Sequence, residues 1–144
     1  MRVPQELKWT VPRPWTDTER PLTTLPQRFE AQVSKTPDAT AVVFEDQSLS
    51  YAELNARANR LAHFLRRNGA VPDTLVGVCT ERSLDLLVAI VGILKAGAGY
   101  LPLDPANPAE RIAFIVGEAK PLLVLTQRQP VSYTHLTLPT ILRV

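Results

Sequence analysis

The sequence is short of cysteine, of aromatic residues and of long apolar runs. Its single cysteine, Cys79, can form no internal disulfide and has no second thiol with which to hold a metal ion. A reducing, cytoplasmic setting is therefore expected. The longest apolar run, Leu86 to Leu94, is much shorter than the roughly 20 residues that cross a bilayer, so no membrane span is predicted.

An excess of charge of one sign is also missing. Sixteen Lys and Arg residues stand against fourteen Asp and Glu residues, which leaves a formal net charge of +2. The longest basic run is Arg66-Arg67, so the sequence lacks the basic patch with which proteins bind nucleic acid. A chain of 144 residues, 45% of them hydrophobic, can bury one core. We therefore expect one folded unit or a piece of one.

Proline, by contrast, is frequent at the start of the chain. Six of the thirteen prolines fall in the first 37 residues, which also contain both tryptophans, Trp9 and Trp15. Residues 1–25 are therefore predicted to be a linker that lies on another surface. A short helix is expected to follow and to end at Thr36-Pro37, because apolar residues recur there at four-residue spacing: Leu25, Phe29 and Val33.

The rest of the chain alternates strand patterns with helix patterns. Ser50 and Glu53 have the spacing of a capping box ahead of an amphipathic helix, and Ser83 is placed to cap an almost wholly apolar helix over 84–96. Asn107 is predicted to cap a third helix. Strands are predicted at 41–44, 49–51, 75–80, 100–103 and 122–126. This alternation indicates the α/β class, with a parallel sheet and right-handed crossover helices.

The glycines of LKAGAGYLPLDPANP, residues 94–108, invite comparison with a phosphate-binding loop. Such a loop places its glycines before a helix, where backbone N–H groups and the positive end of the helix dipole point at the anion. Gly97 instead follows a helix, at its partially negative end, and no third glycine completes a dinucleotide-binding fingerprint. Gly97 is therefore predicted to end the helix in a left-handed conformation.

The same stretch carries a family resemblance. LKAGAGYLPLDPANPAERI closely resembles the second core motif of the amino-acid-activating adenylation domains of nonribosomal peptide synthetases. LSYAELNARANRLAHFLR resembles their first core motif with its following helix, and RFEAQVSKTPDATAVVFED resembles the segment ahead of it. The residues that match these motifs at structural positions are Leu49, Tyr51, Glu53, Leu54, Leu94, Lys95, Ala96, Gly97, Tyr100, Pro102 and Asp104.

Two residues of the second motif depart from the family's pattern. Gly99 stands where the family more often has alanine, and Asn107 where it often has tyrosine. Neither change conflicts with the predicted helix stop and helix cap. Asp104 and Glu110 could be taken as a carboxylate pair, but a turn and a helix start account for both.

The resemblance implies the N-terminal part of an adenylate-forming enzyme. The parent would bind ATP, magnesium and an amino acid, form an aminoacyl-adenylate with release of pyrophosphate, and pass the acyl group to a phosphopantetheine carrier. Its partners would be the rest of the adenylation domain and the neighbouring condensation and carrier domains. The family's phosphate loop, substrate pocket and catalytic lysine lie downstream of the region covered. No catalytic, cofactor-binding or metal-binding residue is therefore expected, and the fragment itself is predicted to be inactive.

The resemblance also divides the chain into three segments. Residues 1–25 are similar to a linker between a condensation and an adenylation domain, and residues 26–130 to the first part of the AMP-binding domain. Residues 131–144, VSYTHLTLPTILRV, contain no acid and match nothing in the family. They are predicted to be translated adapter or vector sequence. The alternative is a genuine β-rich end, because threonine, tyrosine and isoleucine favour strands.

Four side chains that could suggest chemistry are given other roles. Lys95 and Lys120 are not expected to be the family's catalytic lysine, because Lys95 ends a buried helix, from which it can reach solvent, and Lys120 lies in a loop. His63 has no carboxylate partner and is predicted to lie at the surface or its boundary. Cys79 lacks basic neighbours and is predicted to be a buried structural thiol.

Two alternative functions stay open at this stage. An acyl-CoA or aryl-acid ligase of the same superfamily would keep the fold and change the substrate. A noncatalytic module would use the proline- and tryptophan-containing front segment to dock a neighbouring domain. The sequence determines neither the amino acid that is activated nor the oligomeric state.

Overall fold

A parallel sheet lies at the centre of the part of the chain that the structure, a computed structural model, describes: residues 23–126 and 141–143. The helices are α1 (Leu25–Lys35), α2 (Tyr51–Arg67), α3 (Leu84–Lys95) and α4 (Ala109–Ala119). The strands are β1 (Thr40–Phe44), β2 (Gln47–Ser50), β3 (Leu75–Cys79), β4 (Gly99–Pro102), β5 (Leu123–Thr126) and β6 (Ile141–Arg143).

Within these described ranges, the sheet has the strand order β4-β3-β5-β6, and every neighbouring pair is parallel. β1 and β2 form a separate antiparallel hairpin. The predicted α/β class with a parallel sheet is confirmed. The predicted strands at 75–80 and 122–126 each differ from the observed β3 and β5 by one residue at one end, and the predicted strand at 100–103 is shifted by one residue from β4.

The two crossover connections run in opposite directions. The chain passes from β3 through α3 to β4 on one side, and then from β4 through α4 back across β3 to β5. Right-handed crossovers in opposite directions place their helices on opposite faces of a sheet. The side chains agree, because Val76 and Val78 of β3 pack with α2 and α3, whereas Cys79 packs with Ile112 and Val116 of α4.

The larger core lies between the sheet and the helix pair α2 and α3. Leu65, Val76 and Ile93 are completely buried there, and Leu125 is nearly so. The second core, under α4, is smaller and is built around Ile112. A third cluster fixes the hairpin to the start of α2 and α3 through Leu49, Leu54, Leu84 and Val88. No helix among the described residues is both long enough and apolar enough to cross a membrane.

The helix starts of α2 and α3 are encoded locally, as predicted. The Ser50 hydroxyl accepts a hydrogen bond from the Glu53 N–H at 3.1 Å, and the Ser50 N–H donates to the Glu53 carboxylate at 2.9 Å. Ser83 accepts from the Leu86 N–H at 3.3 Å. These side chains satisfy N–H groups that the first turn of a helix leaves without an intrahelical acceptor.

The predicted cap of α4 is wrong by one residue. The N-cap is Pro108, with ψ 146°, and no side chain caps this helix. The Asn107 N–H instead donates to the Asp104 carbonyl, and the Asp104 carboxylate accepts from the Ala106 N–H at 2.9 Å. Residues 104–107 thus form a turn closed by Asp104, so Asn107 is not free to cap the helix. Pro108 is the N-cap instead, and it has no N–H group that needs an acceptor.

The helix stop at Gly97 is confirmed. Gly97 has φ 87°, its N–H donates to the Leu94 carbonyl, and the Ala98 N–H donates to the Ile93 carbonyl. These two bonds form a Schellman motif, in which a left-handed residue closes the last turn of the helix. Gly69, with φ 98°, ends α2 in the same way.

We expect Gly97→Ala to lower the free energy of unfolding by about 1–2 kcal/mol, because an L-residue is disfavoured in the left-handed region. An added Cβ at Gly97 would meet no atom within 4 Å, so the loss would come from the backbone alone. Gly117 is the matched control, because it also lies in open space but within α4. Gly117→Ala should raise the stability by about 0.5–1 kcal/mol. Urea unfolding of both variants tests this, and equal effects of the two substitutions would contradict it.

The two ends of the chain fall largely outside the described residues. These include residues 1–22, so the predicted linker over 1–25 is described only from Thr23 onward. Residues 127–140 and 144 are also outside, while β6 pairs with β5 from Val124↔Ile141 to Thr126↔Arg143. The non-native origin of residues 131–144 stays a prediction.

Candidate functional site

The first set of motif residues lies where the hairpin joins α2. Leu49 and Leu54 are buried in the third core cluster. Tyr51 is the first residue of α2, its N–H donates to the Ala39 carbonyl, and its ring lies 6.1 Å from that of Phe29. Together with the Glu53 cap, these contacts fix the start of α2 against β1 and α1.

The second set lies where α3 turns into β4. Leu94 and Lys95 form the last turn of α3, and the buried Ala96 is its C-cap, followed by Gly97. Tyr100 and Pro102 lie in β4 with their side chains exposed, and Asp104 is exposed in the following turn. The structure separates this set into a helix end that packs on α1 and α2 and a strand, β4, at one edge of the sheet.

An apolar pocket brings the two motifs together. Tyr51 and Leu54 of the first motif and Leu94 of the second line the same cavity of about 270 Å³ between α1, α2, α3 and β1. We call it the α1 pocket. Its full lining is Leu25, Pro26, Phe29, Ala41, Tyr51, Leu54, Leu87, Val91 and Leu94. Nothing in the sequence spacing indicated this meeting, because the two motifs are far apart along the chain.

Lys95 corrects one sequence-based expectation. Its side chain does not extend into solvent, because only 4% of it is exposed. The Nζ atom donates to Glu30 Oε1 at 2.7 Å and lies 5.6 Å from the centroid of the Phe29 ring. Burial of a lysine is costly unless the ammonium group is paired, and here α1 supplies both the carboxylate and the aromatic face. Lys95 therefore connects α3 to α1.

The carboxyl edge of the sheet carries polar groups that the sequence analysis did not single out. Thr126 ends β5 opposite Cys79, and Thr80 follows directly on β3. Both threonines are buried, and Thr80 Oγ1 has no hydrogen-bond partner among the described residues. The signal in the sequence was a polar residue at the end of each of two apolar strand runs.

This edge is where an open α/β sheet usually offers a ligand site. The chain leaves β3 toward β4, on the side of β3 away from β5, so this connection does not cover the carboxyl end of β5. In open α/β sheets, ligands bind preferentially in the crevice outside the carboxyl ends of the strands. The geometry therefore makes the end of β3 and β5 the candidate site for the chemistry of the complete domain.

The starts of α2 and α3 both carry an acidic side chain in the first turn. The start of α2 is closed by the Glu53 carboxylate, and Asp85 lies in the first turn of α3, so neither helix start presents a net positive end to a phosphate. Gly69 and Gly97 both follow helices. Within residues 23–126, no group of three or more His, Cys, Asp or Glu residues could hold a metal ion.

The remaining sequence candidates are His63, Cys79 and Lys120. His63 is exposed on α2, as predicted. Cys79 is buried against α4, which confirms the prediction of a buried thiol. Lys120 ends α4 in the left-handed region, with φ 48°, directly before Pro121.

Comparison with known proteins identifies relatives among peptide synthetases. The chain is 51% identical over 107 residues to gramicidin S synthase 2 of Brevibacillus brevis, which covers 74% of this chain and 2% of that protein. It is 49% identical over 107 residues to zwittermicin A synthase ZmaJ of Bacillus cereus, covering 74% of this chain and 20% of that protein. The chain thus spans only a small part of these curated relatives.

Solved structures show the same likeness in three dimensions. The nonribosomal peptide synthetase FmoA3 superposes with a TM-score of 0.78 at 42% identity, over 85% of this chain and 13% of that one. Its form bound to alpha-methyl-L-serine-AMP superposes with the same TM-score and identity, over 88% of this chain and 15% of that one. Klebsiella oxytoca NpsA, solved with 3-hydroxyanthranilyl-AMSN, shares the fold alone, with a TM-score of 0.72 at 22% identity.

The family of AMP-binding enzymes matches residues 29–142, which is most of the chain. The resemblance to nonribosomal peptide synthetase adenylation domains, drawn from the motifs at 49–66 and 94–112, is confirmed by these relatives and by the shared fold. The chain belongs to the AMP-binding enzyme family.

Proposed function

We propose that this chain is part of an amino-acid-activating adenylation domain of nonribosomal peptide synthesis. The complete domain joins ATP and an amino acid into an aminoacyl-adenylate, releases pyrophosphate and passes the aminoacyl group to a phosphopantetheine thiol. The observation that carries the proposal is the likeness to FmoA3 in its form bound to alpha-methyl-L-serine-AMP, at 42% identity. NpsA, solved with an aryl analogue, is less similar at 22% identity.

The proposed role of this segment is to build the sheet and its helical layers. The proposal is supported by its motif residues, which cap helices, close turns and fill cores, and by the described residues' having no group of three or more His, Cys, Asp or Glu that could hold a metal ion. We therefore propose that ATP, magnesium and the amino acid are held by other parts of the domain. Condensation and carrier domains are the proposed neighbours.

A chimera tests the proposal directly. Residues 29–126 of this chain replace the superposed stretch of FmoA3, and pyrophosphate exchange is measured with the amino acid that FmoA3 holds as its adenylate. We expect exchange with the acid preference of FmoA3 unchanged, because the transplanted segment supplies scaffold. A chimera that folds but has lost exchange would contradict the proposal. Exchange by the complete parent protein with amino acids, but not with fatty or aryl acids, separates it from the ligase alternative.

The 144-residue chain alone should show no amino-acid-dependent pyrophosphate exchange and no saturable ATP binding. The physical reason is that adenylate formation needs fixed donors that stabilise charge on the transferring phosphates, and we propose that other parts of the domain supply them. Isotope exchange with a mixture of all amino acids and a calorimetric titration with ATP measure this. Turnover clearly above that of a boiled sample would contradict the assignment of a purely structural role.

A further inference from the structure

The α1 pocket opens at the start of α1, beside the first described residue, Thr23. Leu25 and Pro26 form this rim, and Leu25 is 65% exposed. None of the eleven residues of α1 is fully buried, although Phe29 and the Glu30–Lys95 ion pair fix the helix to α3. Leu25 is continuous with the apolar lining of the pocket, and contiguous exposed apolar surface of this kind is typical of a contact surface.

The volume and the lining of the α1 pocket indicate what kind of group fits it. Its volume of about 270 Å³ is below the range of roughly 300–1,000 Å³ of clefts that hold drug-sized ligands. No charged side chain lines it, and its one side-chain polar group is the Tyr51 hydroxyl. Such a cavity suits a single aromatic side chain that is apolar over most of its surface and carries one hydrogen-bonding group.

The chain itself supplies such a side chain close to the rim. Both tryptophans fall in residues 1–22, and Trp15 lies eight positions before Thr23, a distance of at most about 29 Å along an extended chain. The residues directly after Trp15 are polar and offer no competing apolar group over 16–20. Pro14 and Pro21 flank this stretch and lower the entropy cost of ordering it.

We propose that the indole of Trp15 packs in the α1 pocket and covers Leu25. Trp9 would have to close a longer loop to reach the same cavity, at a greater entropy cost. The front segment then serves as an intramolecular clamp that holds α1 on α2 and α3. The proposal rests on the pocket and the chain length and does not depend on the proposed function.

Fluorescence of the full 144-residue chain tests this, because the residues from Thr23 onward contain no tryptophan. Trp9→Phe leaves Trp15 as the only tryptophan, and Trp15→Phe leaves Trp9. We expect Trp15 to emit at shorter wavelength than Trp9 and to be quenched by acrylamide with a several-fold smaller constant. Far-UV circular dichroism of each variant checks that the chain is folded.

Two substitutions at the pocket, made in the Trp9→Phe background, locate the contact. Leu25→Asp places a charge on the rim, and Ala41→Phe fills the cavity from β1; both should raise the quenching constant of Trp15. Val43→Asp is the matched control, because Val43 is also 65% exposed but does not line the pocket. It should leave the quenching unchanged.

The other outcomes each overturn the proposal. Trp15 quenched in the folded chain as readily as in urea would mean that it lies in solvent. Protection that neither Leu25→Asp nor Ala41→Phe alters would mean that Trp15 packs elsewhere. Protection of Trp15 that falls on dilution would mean that a second copy of the chain fills the pocket. Protection of Trp9 instead of Trp15 would mean that Trp9, and not Trp15, is the buried tryptophan.

Discussion

Replacing Gly92 by leucine should lower the free energy of unfolding by about 1–2 kcal/mol. Gly92 lies in α3 where this helix crosses α2, the most extensive helix contact of the described residues. A Cβ added there would lie 2.8 Å from Leu61 Cδ2 and 3.0 Å from Leu61 Cβ. Because Leu61 Cβ is fixed to the backbone of α2, the two helices must move apart, and overpacking of this kind costs about 1–3 kcal/mol or more. The better helix propensity of leucine offsets only about 1 kcal/mol.

Two further variants show whether the close approach is the cause. Gly117→Leu adds the same side chain to α4, where a Cβ would meet nothing within 4 Å, and it should not destabilise the chain. Leu61→Ala should partly rescue Gly92→Leu, with a coupling energy of about 1 kcal/mol or more between the two positions. Chemical unfolding of the wild type, the two single variants and the double variant measures the coupling energy, and that of Gly117→Leu measures the control. Additive effects of Gly92→Leu and Leu61→Ala would mean that the two residues are not in contact.

Glu30→Ala should destabilise the chain more than Lys95→Met, which removes the positive charge that Glu30 neutralises. Glu30→Ala leaves the buried Lys95 ammonium without its carboxylate, and breaking a fully buried pair costs about 3–5 kcal/mol. Glu30 is 57% exposed, so water can partly replace it, and we expect a loss of about 1–2 kcal/mol. Lys95→Met keeps the volume and removes the charge, and it should change the stability by less than about 1.5 kcal/mol.

The double variant shows whether Glu30 stabilises the chain through its ion pair with Lys95. In the Lys95→Met background, Glu30→Ala should have almost no effect, because no buried charge remains to be paired. Glu118→Ala is the matched control, since Glu118 is an exposed helical glutamate on α4. Midpoints and slopes of urea unfolding give the free energies. A loss from Glu30→Ala that is the same with lysine or methionine at position 95 would show that Glu30 stabilises α1 independently of the ion pair.

The sequence by itself determined most of the helix ends, the strand positions to within one residue in the central sheet, and the fold class. The capping box of Ser50 and Glu53 and the stop at Gly97 depend on hydrogen bonds between residues three to five positions apart, so the local residues suffice to predict them. The alternation of apolar runs determined the parallel sheet in the same way, because the handedness of crossovers leaves few arrangements. The motifs then indicated the family.

Only the tertiary structure decided how distant segments meet. Glu30 and Lys95 are 65 positions apart, and nothing in the spacing of either residue indicates the other. The same holds for Tyr51 and Leu94 in the α1 pocket and for Thr80 and Thr126 at the carboxyl edge of the sheet. Asn107 failed as a predicted cap because the Asp104 turn competed for the same stretch of chain. Packing places these groups, and packing depends on the whole core rather than on neighbouring residues.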